Sequence, residues 1–225
     1  MHRTLPRIRA VLPDAPEELG ELYDSMTLPQ YPESRIQCLG FPRALESTMA
    51  LAEWLIPDEL GLWVLDDAND SNPFCYITKG PCRGAILHFR HDDAATVAFP
   101  SLESWLTALH AAGRDEIDID EMPRPEAPTF ECAALIRQRL PDDTEENETL
   151  VCLYLSCSGP LPDDLVAALA RHESFYIRES LAEWLVRHPA EQHLGLAEAL
   201  AADGYRQVAV HGVAARKAIN RLIHS

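Results

Sequence analysis

The fold is decided by residues 62–112, LWVLDDANDSNPFCYITKGPCRGAILHFRHDDAATVAFPSLESWLTALHAA. This stretch opens with four short apolar runs that contain aromatic and β-branched residues and have the length of strands. The runs are Leu62–Leu65, Phe74–Ile77, Ala85–Phe89 and Thr96–Phe99. The gaps between them are short and rich in Asn, Asp, Gly and Pro, which are typical of turns. Because parallel neighbours need a long crossover, these short gaps predict an antiparallel meander.

A helix is predicted directly after the fourth run. Ser101 is a suitable N-cap residue, and Gly113 is expected to end the helix. Between them, apolar side chains recur on one helical face, at Leu102, Trp105, Leu106 and Leu109. A curled antiparallel sheet closed by a helix is an α+β pattern. We expect Trp63, on the first strand, and Trp105 to be buried in a shared core.

These elements resemble the SUKH superfamily, which includes bacterial immunity proteins related to fungal cell-wall-assembly regulators. The resemblance is carried by Trp63–Ile77, Gly84–Asp92 and Phe99–Leu109, the last reading FPSLESWLTAL. In that family a strand ends in acidic and Asn-rich turn residues, and an acidic turn leads to a last strand and a closing helix. These motifs are patterns of fold and turn and not catalytic signatures.

The resemblance implies a protein that binds a cognate toxin of a bacterial polymorphic-toxin system and neutralises it by occlusion. It also implies that the sheet and the loops at its edge face the toxin. The carboxylates of these loops are the expected partner-binding residues, namely Asp66, Asp67, Asp70, Asp92 and Asp93. Turn capping is the competing interpretation for Asp67, Asn69 and Asn72.

The chain is strongly acidic. Its formal net charge is −17, from 19 basic and 36 acidic residues. Direct contact with nucleic acid or with an anionic membrane needs a basic face, so neither is an expected partner. The excess of acid favours electrostatic steering toward a basic toxin, and solubility alone is the competing explanation.

Nothing in the sequence predicts export or a membrane span. Residues 1–20 contain no long apolar segment of the signal-peptide type, and no apolar run approaches the length of a spanning helix. Six cysteines occur without a CxxC pair, in a chain of 225 residues that is 47% hydrophobic and therefore needs no disulfides to form a core. We expect a cytoplasmic protein with reduced, mostly buried thiols.

Three regions are expected along the chain. Residues 1–113 should form the α+β domain, with helices over 15–26 and 41–56 before the sheet and Pro57 ending the second helix. Residues 114–128 form an acidic, proline-rich linker, and residues 129–225 form a helical domain. The acidic excess continues to Thr149, and we interpret it as a solvated segment.

The helical domain contains an internal repeat. ARHESFYIRESLAEW (170–184) and AADGYRQVAVHGVAA (201–215) occupy equivalent places at an offset of 31 residues. Helix pairs with a period near this value are typical of α-solenoids, and the region is similar to HEAT-type repeats, which implies a protein-binding face. The inward positions expected for the last helix are Val208, Gly212, Ala215, Ile219 and Leu222.

Two sets of residues carry partial metal-ligand patterns. Asp67, Asn69 and Ser71 match the first ligands of a calcium loop, but Asn72 and Thr78 stand where that loop needs Gly and Glu. A zinc set can be drawn from Cys75, Cys82, His88 and His91. Its spacing fits no recognised zinc pattern. We therefore predict no metal site and interpret His88 as a turn or surface residue.

The sequence also lacks the motifs of common enzymes. It has no nucleophile elbow, phosphate-binding glycine loop or zinc-protease motif. The carboxylate pairs Asp66–Asp67 and Asp92–Asp93 have no identified partner for acid–base catalysis. We therefore predict no enzyme, no catalytic residue and no cofactor. The predicted function is toxin neutralisation, and the alternative is a non-catalytic adaptor or scaffold that binds through its helical repeats; the oligomeric state is left open.

Overall fold

A computed structural model describes residues 3–25, 38–52, 55–66, 72–89, 95–117, 119, 122, 129–142 and 144–224. The chain divides into two compact units, Met1–Pro128 and Thr129–Ser225. The predicted α+β class is confirmed, since the described residues contain an antiparallel sheet and many helices. The finer division into a domain, a linker and a repeat domain stays a prediction.

The sheet lies in the first unit and, within the described residues, has four strands. They are β1 (Leu62–Val64), β2 (Phe74–Ile77), β3 (Ile86–His88) and β4 (Thr96–Phe99). Each strand pairs antiparallel with the next along the chain, so the spatial order is β1-β2-β3-β4. The predicted meander is therefore confirmed. The register between β3 and β4 shifts between Ile86 and Leu87, as in a β-bulge.

Both faces of the sheet are buried. Trp63 pairs with Tyr76, which places their side chains on one face, and Val64 pairs with Cys75 on the other. All four of these residues are at most 2% exposed. A sheet that is covered on both faces needs apolar residues at every position, which explains why the strands are continuous apolar runs without polar alternation.

Two helices contribute to the aromatic face of the sheet, α2 (Glu17–Ser25) and α3 (Phe41–Leu51). The Trp63 indole stacks on Phe41 at 6.1 Å between ring centroids, and its Nε1–H donates to the Tyr23 hydroxyl at 2.8 Å. The hydroxyl of Tyr76 donates to the Glu18 carboxylate. These contacts therefore anchor α2 and α3 to β1 and β2.

The outer edge of β1 is covered by backbone and side-chain partners. The Leu39 N–H donates to the Leu65 carbonyl at 2.9 Å, and the Val64 N–H donates to Thr48 Oγ1 at 3.0 Å. Gly61, which precedes the strand, has φ 57°, a conformation that favours glycine. A Cβ at Gly61 would lie 2.3 Å from Thr78 Oγ1, so this turn also needs the small residue for space.

The helices of the first unit correct three predictions. No helix was predicted over α1 (Leu5–Arg9), which precedes α2. The expected helix over 41–56 ends at Leu51, and α4 (Leu55–Leu60) contains Pro57, so the prediction that Pro57 ends a helix is wrong. Proline is tolerated in the first turn of a helix because the backbone N–H that it lacks would have no acceptor within the helix.

The third correction concerns α5 (Leu102–Asp115). Its start is confirmed, because Ser101 and Ser104 form a reciprocal capping box. Its predicted end is wrong: the helix passes through Gly113 and ends where Glu116 adopts a left-handed conformation, with φ 54°. Glycine inside a helix costs only about 1 kcal/mol, which the burial of Leu109 and Ala112 on the same helix can offset.

The second unit is helical throughout its described elements. Its helices are α6 (Ala133–Arg139), α7 (Glu145–Cys157), α8 (Asp163–Leu169), α9 (Phe175–Arg187), α10 (Leu194–Ala201) and α11 (Arg206–Ile223). A 3-10 turn, Glu191–His193, precedes α10. Among the helices that the structure describes in both units, none is long and apolar enough to cross a bilayer.

These helices pack as consecutive pairs, α6 with α7, α8 with α9, and α10 with α11. The second helix of each pair also packs against the second helix of the next, so α9 contacts both α7 and α11. Gly212 allows the close approach of α11 to α10, because a Cβ there would lie 2.4 Å from the Ala201 nitrogen.

Side chains of α9 complete the end of α7. Arg187 donates to the carbonyls of Leu155 and Ser156, at 2.8 and 2.6 Å. Trp184 Nε1–H donates to the Gly159 carbonyl at 3.1 Å. The last carbonyls of α7 are therefore satisfied by a cation, which also suits the negative end of the helix dipole.

One sequence expectation for this unit needs correction. Leu222, expected to point inward, is 50% exposed, whereas Val208, Ala215 and Ile219 on the same helix are fully buried. Within the acidic segment up to Thr149, α7 begins at Glu145, and the side chains of Glu145 and Glu146 are exposed. Acidic side chains in a first turn are favoured by the helix dipole.

Candidate functional site

Asp66 is the one predicted partner-binding residue that the structure describes, and it is buried. It is 1% exposed, and its Oδ1 accepts the Phe74 N–H at 2.6 Å across the β1–β2 connection. Backbone pairing with Cys38 also involves Asp66. Burial, with the Asp66 charge as a further cause, raises the pKa of the Cys38 thiol to about 12. Asp66 therefore caps the hairpin and presents no surface to a partner in this conformation, which corrects its expected role.

The other expected partner-binding residues, Asp67, Asp70, Asp92 and Asp93, lie outside the described residues. The same holds for Asn69 and Ser71 of the calcium-loop pattern and for His91 of the zinc pattern. Their predicted roles stay predictions.

The position of His88 argues against the zinc set. His88 pairs with Phe74, and Cys75 pairs with Leu87, so Cys75 and His88 point to opposite faces of the sheet and cannot bind one ion. His88 is 5% exposed and stacks on the Phe74 ring at 4.3 Å. The interpretation of His88 as a surface residue is therefore wrong, and its imidazole is part of the core.

In the second unit, an arginine ties two adjacent loops together. Arg178 Nε and Nη2 donate to the two Asp203 oxygens at 2.7 and 3.2 Å, and Nη1 donates to the carbonyls of His172 and Glu173. Arg178 and Asp203 are each 13% exposed. The hydrogen bonds from Arg178 lower the pKa of the Asp203 carboxyl. This network joins the loop before α9 to the loop before α11.

Aromatic rings are exposed beside this network. The Phe175 ring lies 4.7 Å from the Tyr205 ring in a stacked arrangement and 3.9 Å from the Tyr176 ring. Tyr176 and Tyr205 are 54% and 52% exposed, and the Arg178 guanidinium lies over the Tyr205 ring. Exposed tyrosines beside an arginine have the composition of a protein-binding hot spot. We call Phe175, Tyr176 and Tyr205 the aromatic edge.

A cleft opens between the N-terminal ends of α7 and α9, and we call it the α7–α9 cleft. Its volume is about 150 Å³. Apolar side chains in its lining include Val151 and Ile177, while its polar lining consists of Arg139, Asp142, Asn147, Glu148, His172, Glu173 and Ser174. Ligand pockets for small molecules usually measure about 300–1,000 Å³, so this cleft suits a single side chain better than a metabolite.

Hydrogen bonds fix the wall of this cleft. The Thr144 side chain accepts from the Asn147 N–H and from its Nδ2, and Arg139 Nη1 donates to Asn147 Oδ1 at 3.1 Å. On the opposite side, Ser174 caps α9 by accepting from the Ile177 N–H. Both walls are therefore formed by helix ends whose caps are satisfied.

Carboxylates also occupy the outward surface of α7 and α9. Glu179 and Glu183 lie 3.6 and 3.5 Å from His211 Nε2 on α11. Cys152 is partly exposed on α7, but burial raises the pKa of its thiol to about 12, and the charges of Glu148, Glu179 and Glu183 add to the shift. A thiol held in its protonated form is a poor nucleophile and a poor metal ligand.

Sequence reasoning missed the cleft and the aromatic edge, although part of the signal was present. The repeat offset of 31 aligns Ser174 with Tyr205, and these are the N-cap residues of α9 and α11. The alignment therefore placed the two tyrosines at corresponding helix starts. The alignment could not predict that the Phe175 and Tyr205 rings stack, because that depends on how α9 packs against α11.

Comparisons with family models, with curated proteins and with solved structures found no match for this chain. The described geometry defines an α+β protein with a second, helical unit. Assignment to a particular family therefore depends on the residues that resemble SUKH proteins.

Proposed function

We propose that this chain is an immunity protein that neutralises a basic protein toxin by occlusion. In this proposal the first unit is a SUKH-like domain, the second is a HEAT-like array of helix pairs, and the protein acts in the cytoplasm of the cell that makes the toxin. The proposed mechanism is binding alone, without a cofactor or a catalytic residue.

The observation that carries the proposal is the combination of charge and exposed anchors on the second unit. Glu148 and Glu173 border the α7–α9 cleft, Glu183 is 53% exposed on α9, and Tyr176 and Tyr205 are 54% and 52% exposed. With a net charge of −17, the chain attracts a basic partner over distances of about a Debye length, 8–10 Å at physiological salt. Aromatic anchors then supply contact area at close range.

The described meander and closing helix support the SUKH-like part of the proposal. The elements that carry the resemblance are formed as expected, including the strand pairs and the Ser101 cap. In the proposal, Asp67, Asp70, Asp92 and Asp93 remain toxin-facing residues, whereas the buried Asp66 supports the hairpin.

The test is protection by co-expression. A polymorphic toxin encoded beside this chain is expressed with and without it, and growth is measured. We expect growth to be restored by the wild-type chain and reduced for Asp92→Lys combined with Asp93→Lys, provided that the variant melts like the wild type. Equal killing with and without the chain would contradict the proposal.

A second candidate function is a non-catalytic adaptor that binds through its helical repeats. The contacts of α9 with both α7 and α11 favour it, because such an array forms a continuous face across several helices. The two functions separate in the same assay: an adaptor leaves toxin killing unchanged and co-purifies with a non-toxic partner in a defined complex.

A further inference from the structure

We propose that the α7–α9 cleft receives a lysine or arginine side chain from the basic partner. This inference deepens the proposed function and depends on it only for the identity of the partner. It assigns a recognition site to the second unit, where the sequence indicated only a general protein-binding face.

The size of the cleft matches one long side chain. Its volume of about 150 Å³ is below the roughly 300–1,000 Å³ of small-molecule pockets, which suits one inserted side chain. Val151 and Ile177 provide apolar lining for a methylene stem. A lysine or arginine buries its stem against such lining while its charged end stays near polar groups.

The charges around the cleft favour a cation over an anion. Three carboxylates line it, Asp142, Glu148 and Glu173, against one guanidinium, that of Arg139. The N-terminus of α7 would otherwise attract an anion, but its first turn already carries Glu145, Glu146 and Glu148. The guanidinium of Arg139 is engaged with Asn147 in the wall of the cleft.

Neighbouring surface features extend the site. A shallow hollow of about 310 Å³ is lined by Leu165 and Ala168 of α8, by Leu140 and Pro141, and by Arg137, whose guanidinium is paired with Asp164. Leu140 also lines the cleft. The aromatic edge begins at Phe175, directly after Ser174 of the cleft. An extended partner segment could therefore place a basic side chain in the cleft and an apolar one in the hollow. We infer a partner segment with basic and apolar residues close together.

The experiment uses the full chain and a synthetic peptide of alternating lysine and leucine as the probe. Binding is followed by backbone amide NMR and by titration. We expect shifts to concentrate at residues 139–151 and 172–177, and Glu148→Gln with Glu173→Gln to weaken binding at least about fivefold. Glu191→Gln with Glu198→Gln removes the same charge from exposed positions on the 3-10 turn and α10, and should leave the affinity within about twofold.

The inference would be overturned by equal weakening with both double variants, by shifts that lie elsewhere, or by a glutamate–leucine peptide or inorganic phosphate that binds in the cleft instead. If Glu148→Gln with Glu173→Gln fails to fold, Glu173→Lys, at an exposed position, replaces it in the same measurement. A toxin that is neutralised equally by the wild type and by Glu148→Gln with Glu173→Gln would overturn the inference while the proposed function stands. Peptide binding in the cleft without any toxin protection would support the inference and contradict the proposed function.

Discussion

At the scale of single residues, Trp63 and Trp105 lie in the core of the first unit. Trp63 and Trp105 are both fully buried, as expected from their strand and helix positions. Trp105 lies 6.2 Å from the Phe74 ring, and Phe74 lies on the same face of the sheet as Tyr76. The indole of Trp105 therefore joins α5 to the aromatic face that Trp63 shares.

Replacement of Trp105 tests this packing. Trp105→Ala should lower the free energy of unfolding by about 3–5 kcal/mol, because it removes a fully buried aromatic side chain and leaves a cavity. Glu103→Ala, an exposed position on the same helix, serves as the control and should change the free energy by less than about 0.5 kcal/mol. Denaturant unfolding measures both, and equal effects of the two variants would contradict the placement of α5.

The sequence predicted the residues of the apolar core better than the polar ones. Trp63 and Trp105 were identified by strand length and helical spacing alone. Asp66 was assigned to the partner-facing loops by the family resemblance and His88 to a turn or the surface, yet both are buried. Phe74, on the neighbouring strand, holds Asp66 through its backbone N–H and His88 through its stacked ring, and the sequence pattern does not predict these two contacts.

At the scale of elements, a pair of glycines tests the contact between α10 and α11. Gly212→Ala should destabilise the chain by about 1–3 kcal/mol, because the added Cβ would lie 2.4–2.5 Å from backbone atoms of Leu200 and Ala201. Gly195→Ala, in α10, meets nothing within 4 Å and should stabilise it by up to about 1 kcal/mol through helix propensity. Thermal and denaturant unfolding give both values; a neutral Gly212→Ala would mean that the helices lie further apart.

The ion pair between the loops before α9 and α11 makes stability depend on pH. Hydrogen bonds from Arg178 lower the pKa of Asp203 in the folded chain. The contribution of the ionised Asp203 carboxylate to the free energy of unfolding is therefore fully present above the ordinary carboxyl pKa, about 3.9. It is lost as the pH falls through the lower pKa of the folded chain. The difference in unfolding free energy between wild type and Asp203→Asn should be constant from about pH 5 to 7 and shrink below about pH 4. A difference that stays constant down to about pH 2 would contradict the pairing.

Element boundaries were predicted well where a side chain supplies the signal and poorly elsewhere. Ser101 was identified as a cap because its hydroxyl satisfies a free N–H, and the structure forms that bond. The end of α5 at Glu116 and the division between α3 and α4 have no comparable signal. They depend on which helical faces find a partner in the folded unit, and this is decided by tertiary contacts.

At the scale of the whole molecule, composition and repeat spacing indicated a charged, two-part chain. The net charge of −17 follows from counting, and the offset of 31 aligned the starts of α9 and α11. The α7–α9 cleft was beyond such reasoning, because its lining comes from α6, α7, α9 and the loops between them. Only the packing of these helices brings Glu148 and Glu173 to one opening.

We propose that this chain neutralises a basic toxin by covering it. The most direct measurement is a titration of the purified toxin's activity with the purified full-length chain, repeated at low and high salt. We expect toxin activity to fall linearly to zero at one equivalent of chain, and association to slow as salt rises because the charges are screened. At about a tenfold excess of chain over a micromolar toxin, a complex of nanomolar affinity would be saturated. Unchanged toxin activity under these conditions would contradict the proposed neutralisation.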